Sequence, residues 1–187
     1  MTLWAVLATG PSMNAALAEK LRWECRVVAV SDAWRLAPWA DVLASADRQW
    51  WQHHADAFAF AGRKFCAMPL EGVEHFTALP MRSGTGCNSG LLGMRIAAWL
   101  GASRILLLGF DMQGDHFFGR HPAPLNNTRP ERFRVFLKQF EEWQGCEVIN
   151  CTPGSALTRF PFMELDDAVR QWHGSGDGNT RGDGNAG

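Results

Sequence analysis

The chain has 187 residues, 47% of them hydrophobic, 20% charged, and a formal net charge of −1. That length suits one domain with a real core, and the balanced charge gives no basic excess to suggest nucleic acid as the partner. Five cysteines, with no CxxC pair among them, argue against a disulfide framework or a zinc ribbon.

Leu3 to Ala8 reads as a first strand, followed by Thr9-Gly10-Pro11-Ser12 and a helical pattern over Met13–Trp23. The order strand, Gly-Pro-Ser, helix is that of a mononucleotide-binding first turn. Gly10 would let the backbone approach a ligand, Pro11 fixes the entry angle, and Ser12 suits an N-cap or a phosphate contact. The dinucleotide fingerprint GxGxxG is absent. Leading residues lack a charged n-region, and their apolar run breaks at Gly10-Pro11, so neither a signal peptide nor a membrane span is expected. Together with unpaired cysteines, this points to the cytoplasm.

Arg26–Val30 is a second strand ending at Ser31-Asp32, and Asp41–Ser45 a third ending at Ala46-Asp47. An Asp there can hold a ribose or simply cap a helix. Arg48 to Phe60 reads as one aromatic-rich helix. His53 and His54 are adjacent on it and so point different ways, which rules them out as a paired metal site. A short strand follows near Gly62–Ala67, and Val73–Phe76 suits an edge strand.

The central stretch runs from Asn88 to His121. The glycine-containing loop from Ser83 to Gly90 leads into its helix, capped by Asn88 or Ser89 and ended by Gly101. A helix start of this kind attracts anions. Ile105-Leu106-Leu107-Leu108 is apolar without alternation, as a strand buried on both faces must be. The loop that follows carries Asp111, Asp115, His116 and His121. Glu131–Trp143 is a helix whose stripe Phe133, Phe136, Leu137 and Phe140 reads as core packing. Cys146–Asn150 is the last strand, and Phe162–Trp172 a terminal helix. The run from Gly174 onward is Gly-, Asp- and Asn-rich and is expected to be disordered. The tally predicts an α/β, three-layer Rossmann-like domain over residues 1–173 with a mainly parallel sheet, its loops converging at the strands' carboxyl edge.

Several of these features resemble the bacterial sialyltransferases of glycosyltransferase family 42. They are Gly10-Pro11-Ser12 after the first strand, Asn88-Ser89-Gly90 before a helix leading to Gly109-Phe110-Asp111, and a late His. That His precedes a helix, a strand and the loop Cys151-Thr152-Pro153-Gly154-Ser155-Ala156-Leu157. The same outline resembles the hydroxymethylpterin pyrophosphokinase-like group. A third likeness covers Leu3 to Leu165. It is to small phage- and prophage-encoded proteins with a Gly-Pro-Ser opening, a segment like Pro38–Leu43 with Ala46-Asp47 and Trp50-Trp51, and a loop like His121-Pro122…Leu125-Asn126-Asn127.

The sialyltransferase resemblance implies binding of a nucleotide or a nucleotide sugar, CMP-linked in that family, with no essential metal. Gly10, Pro11, Ser12, Ser31, Asp32, Asn88, Ser89, Gly90 and Asp111 would hold the nucleotide. His121 would be the general base, a role suited to an imidazole titrating near working pH. The family's lid segment is missing, since Asp111 to His121 is short. Its phosphate-steadying tyrosines are also missing, since the chain has no Tyr. Arg120 or Arg129 could supply the cationic fork instead. The pyrophosphokinase resemblance implies ATP and a divalent metal on Asp111, Asp115 and Asp32. A non-catalytic phage accessory protein that keeps the fold is the third expectation. A zinc site from Asp115, His116 and His121 lacks the helical His pair such sites use.

Overall fold

The structure is a computed structural model that describes residues 1–77 and 88–175. The loop from Ser83 to Cys87 and the tail beyond Ser175 lie outside the described residues. Seven parallel strands form one sheet: β1 (Leu3–Leu7), β2 (Arg26–Val30), β3 (Val42–Ser45), β4 (Arg63–Cys66), β5 (Glu74–His75), β6 (Arg104–Leu108) and β7 (Glu147–Asn150). The helices are α1 (Ala15–Glu19), α2 (Arg48–His53), α3 (Ser89–Trp99), α4 (Pro130–Glu141) and α5 (Leu165–Gly174), with 3-10 segments at Ser31–Arg35 and Ala55–Ala59.

Side chains from every strand but β5 go alternately to two cores, which is why β1 and β6 show no alternation of polarity. Leu3, Ala5 and Leu7 of β1, with Val27, Ala29, Leu43, Leu106 and Leu108, pack against α1, α2, α5 and the segment 33–40. Trp4, Val6, Val28, Val30, Ile105 and Leu107 pack on the opposite face against α3 and α4. The domain is therefore three-layered and Rossmann-like, as the sequence predicts. Burial of α3's Leu91, Leu92, Met94 and Ile96 contributes about 1.5–3 kcal/mol per side chain. Gly93 lets α3 settle directly on the sheet, because a Cβ there would stand 2.9 Å from Val30 Cγ2 and 3.0 Å from Val6 Cγ1.

The strand order is β5-β4-β3-β2-β1-β6-β7. From β1 the chain steps outward strand by strand to β5, then returns through α3 to β6 on β1's other side. After β1 it turns to one face of the sheet and after β6 to the other, so the loops diverge at the carboxyl ends of β1 and β6. This switch point is where open α/β sheets leave a crevice.

Several helix boundaries differ from the sequence reading, among them the end of α4 at Glu141 and the start of α5 at Leu165. α1 is one short helix rather than a run to Trp23, since beyond Glu19 only Leu21 faces the core while Trp23 is 74% exposed. Its N-cap is Asn14, whose side chain accepts from Leu17 N at 3.0 Å, not Ser12. The stretch 48–60 breaks at His54. That ring stacks on Trp50, and its Nδ1 lies 2.7 Å from the Trp50 carbonyl, competing for the acceptor that a continuing helix would use. Gly174, assigned to the tail by composition, ends α5.

Candidate functional site

The junction of β1 and β6 is tied by short contacts between their exit loops. Gly10 N donates to Gly109 O at 2.9 Å, and Ser12 Oγ donates to Asp111 Oδ2 at 2.8 Å, with Ser12 N 3.3 Å from Oδ1. A Cβ on Gly10 would fall 2.0 Å from Asp111 Oδ2 and 2.4 Å from Gly109 O. Glycine is required here so that the two loops can close on each other. Asp111 is 7% exposed, and its carboxylate serves this junction.

Above the junction lies a cavity of about 610 Å³. Its floor is Thr9, Gly10 and Gly109 together with Ser31 and Ser45, whose hydroxyls are hydrogen-bonded at 3.0 Å. Ser31 (φ 47°) and Met112 (φ 55°) are the non-glycine residues with left-handed backbone among the described residues, and both line this cavity. Such conformations cost about 1–3 kcal/mol each and gather at functional sites.

One wall is the start of α3. Asn88 caps the helix, its Oδ1 accepting from Leu91 N at 3.1 Å. Ser89 Oγ accepts from Ala46 N at 3.0 Å, which ties α3 to the end of β3. The first-turn N–H groups of Ser89 and Gly90 have no partner within the helix. Beside them stand Asp47 and Arg48, brought there by the end of β3 and the start of α2.

Another part of the lining is the loop 112–128 and the first turns of α4. Arg132, Phe133 and Phe136 line the cavity, with the Arg132 guanidinium 5.5 Å from the Phe136 ring centroid. His116 and His121 line it too, with ring centroids 4.7 Å apart. Asn127 positions His121 through its backbone. Its Oδ1 accepts from His121 N at 2.7 Å, and its Nδ2 donates to His121 O at 3.0 Å. Burial pushes both imidazoles below the usual histidine range. For His116 the charge of His121 adds to this effect, while Asp32 and Asp115 oppose it. For His121 the opposing carboxylates are Asp32 and Asp47, and His54 reinforces the lowering. Both rings are therefore neutral bases at neutral pH.

The structure gathers Gly10, Ser31, Asn88, Ser89, Gly90 and His121 around one cavity. Pro11 is exposed, and Ser12 and Asp111 are engaged with each other beneath the cavity. Asp32 is 4% exposed and turned inward: Trp50 Nε1 donates to its Oδ2 at 2.7 Å, with His54 Nε2 and Arg35 Nε each at 3.4 Å. Arg120 and Arg129 are exposed and do not line the cavity. The cations that do are Arg48 and Arg132. Arg129 occupies the α4 cap, and the helix carries Arg132 round to the cavity side with Phe133 and Phe136. Those two aromatics, read from sequence as plain core, form part of the wall. Helical spacing from Arg129 was the available signal for Arg132. Thr9, Arg48 and Asn127 carried none beyond their place in loops at the carboxyl edge.

Among the described residues, no group of three or more His, Cys, Asp or Glu side chains could hold a metal ion, and no helix is long and apolar enough to cross a membrane. Comparison with family models, with curated proteins and with solved structures returns no match. The site's meaning accordingly rests on its own geometry.

Proposed function

We propose that the protein binds a phosphorylated nucleoside in this cavity and acts as a nucleotide-sugar-dependent transferase, with His121 taking the proton of an acceptor hydroxyl. The observation that carries the reading is convergence. The glycine-bearing turn after β1, the start of α3 and a half-buried histidine come from stretches far apart in the chain, yet they line one cavity at the sheet's switch point. Two strained backbones on its surface support the same conclusion.

The α3 N-terminus offers N–H groups and a positive dipole end to a phosphate, and Arg48 and Arg132 add charge. Phe133 and Phe136 offer apolar faces to a base or sugar. A neutral imidazole whose ring makes no hydrogen bond with the described residues is free to accept a proton. The ATP- and metal-dependent reading finds less support, since the carboxylates of Asp32 and Asp111 are spent on Trp50 and Ser12.

The test is calorimetry and thermal melting with cytidine and uridine nucleotides, their sugar conjugates and ATP. A cytidine nucleotide at about 100 times Kd is expected to stabilise by about 2.7 kcal/mol, which raises Tm by roughly 5–10 °C for a domain of this size. Silence across the whole panel would end the proposal. With an active donor–acceptor pair, His121→Ala is expected to lower the transfer rate by about 10²–10⁴.

A further inference from the structure

The proposed transfer uses one histidine, but His116 and His121 both line the cavity, and they are held differently. His116 starts a tight turn closed by its own N to Gly119 O at 3.0 Å and by Gly119 N to His116 O at 2.8 Å. The turn is moored to the end of β1 by Phe117 N donating to Thr9 O at 2.9 Å. Thr9 Oγ1 lies 2.8 Å from His116 Nδ1. Phe118 stacks on the His116 ring at 4.9 Å with only 5° between planes. His121, by contrast, is tilted by about 60° to both rings, and it is fixed through its backbone rather than its ring. His116 therefore has one nitrogen and one face satisfied, leaving Nε2 for whatever enters the cavity.

We propose that His116 receives the ligand's phosphate and takes up one proton as that phosphate enters, while His121 stays neutral and keeps its basic nitrogen for the acceptor. This inference rests on the nucleotide reading above and names the ligand's end that reads the site: a phosphate able to carry two charges. An imidazolium donates from both nitrogens, so Nδ1–H is satisfied by Thr9 Oγ1 and Nε2–H by a phosphate oxygen. The parallel Phe118 ring offers its negative face to a cation, as it would to an ammonium.

The charges around the pair fit a single proton. Asp32 behind the floor favours charge on both rings; Asp115, on the same loop, adds to this for His116 and Asp47 for His121. Burial disfavours it on both rings, His54 on His121, and the charge of His121 on His116. Both rings are neutral at neutral pH, and an incoming dianion reverses the balance on the ring nearest to it.

In transfer, the bond from the sugar's anomeric carbon to the phosphate oxygen breaks, and its electron pair goes to that oxygen. The acceptor oxygen bonds to the carbon and its proton goes to His121. The charge on the departing phosphate rises, so a protonated His116 binds it more tightly in the transition state than in the donor.

The experiment is calorimetric titration of the full chain with cytidine monophosphate, near neutral pH, in buffers of different ionisation heat, with cytidine and inorganic pyrophosphate run beside it. The expected result is uptake of about one proton per cytidine monophosphate, none with cytidine, and affinity falling up to about tenfold per unit rise in pH. His116→Gln is expected to abolish the uptake and weaken the monophosphate at least about tenfold. His121→Gln is expected to leave the uptake in place. Imidazole carbon-bound proton signals in NMR check that both variants are folded and show which ring gains the proton. Binding without uptake, or uptake that survives His116→Gln, overturns the inference while leaving the nucleotide reading standing. If no nucleotide binds, that reading falls, and pyrophosphate decides the inference alone: proton-coupled binding lost in His116→Gln supports it, and absence of binding overturns it.

Discussion

Gly10→Ala tests the β1–β6 junction on which the site is built. Gly10 is not in the left-handed region, so alanine meets no backbone penalty there and the whole effect is steric. The new Cβ would stand 2.0 Å from Asp111 Oδ2, where ordinary contact begins at 3.4 Å, so the carboxylate must retreat by about 1.4 Å. That retreat breaks its 2.8 Å bond from Ser12 Oγ. Gly109 O, at 2.4 Å, is backbone and cannot rotate away, so the loops must part as well. Overpacking costs about 1–3 kcal/mol, and a lost hydrogen bond to a buried carboxylate about 1.5–3 kcal/mol. The expected loss is about 3–5 kcal/mol, a large share of a typical stability of roughly 5–15 kcal/mol. With a urea slope of about 2 kcal/mol/M, the unfolding midpoint should fall by roughly 1.5–2.5 M. Gly101→Ala is the control. Its φ is +92° and nothing lies within 4 Å of the added carbon, so it isolates a backbone cost of about 1–2 kcal/mol. Adding Asp111→Ala to Gly10→Ala should cost less than the sum of the two, because the clash and the lost bond share one carboxylate. A Gly10→Ala loss below about 1 kcal/mol, or strict additivity, would refute the account of the junction.

Arg132→Ala should weaken nucleotide binding by about tenfold, whereas Arg129→Ala should leave it nearly unchanged, since only the former lines the cavity; reversed effects in calorimetry would refute this placement. Trp50→Phe removes the donor to Asp32 Oδ2 and should destabilise the fold by about 1.5–3 kcal/mol in urea titration; a neutral result would mean that His54 and Arg35 suffice. Stability should also depend on pH through the two cavity histidines. Their folded affinity for protons lies below the unfolded value, so the unfolded chain binds more protons as pH falls through about 6.5. Stability is thus fully present above that value and declines below it. Urea midpoints between roughly pH 5 and 7.5 should show this slope, and His116→Asn should flatten it.

The sequence by itself determined the layers. Leu3–Leu7 and Ile105–Leu108 are apolar at every position, and only a strand covered on both faces tolerates that. Asn88 before the helix and Gly101 after it placed α3 almost to the residue, because caps are local chemistry. The same local logic brought the turn after β1, the start of α3 and His121 to one edge of the sheet. It could not say which side chains turn toward the cavity. Ser12 bonds to Asp111, 99 residues away, because β1 and β6 pair in a register that no local pattern encodes. Asp32 faces inward because Trp50, in α2 just beyond the neighbouring end of β3, reaches it. Arg132 rather than Arg129 meets the cavity because of where α4 lies across it. Periodicity reports which face of an element is buried. The partner waiting there is fixed by the packing of elements distant in the chain, and that packing is set only when the whole sheet forms.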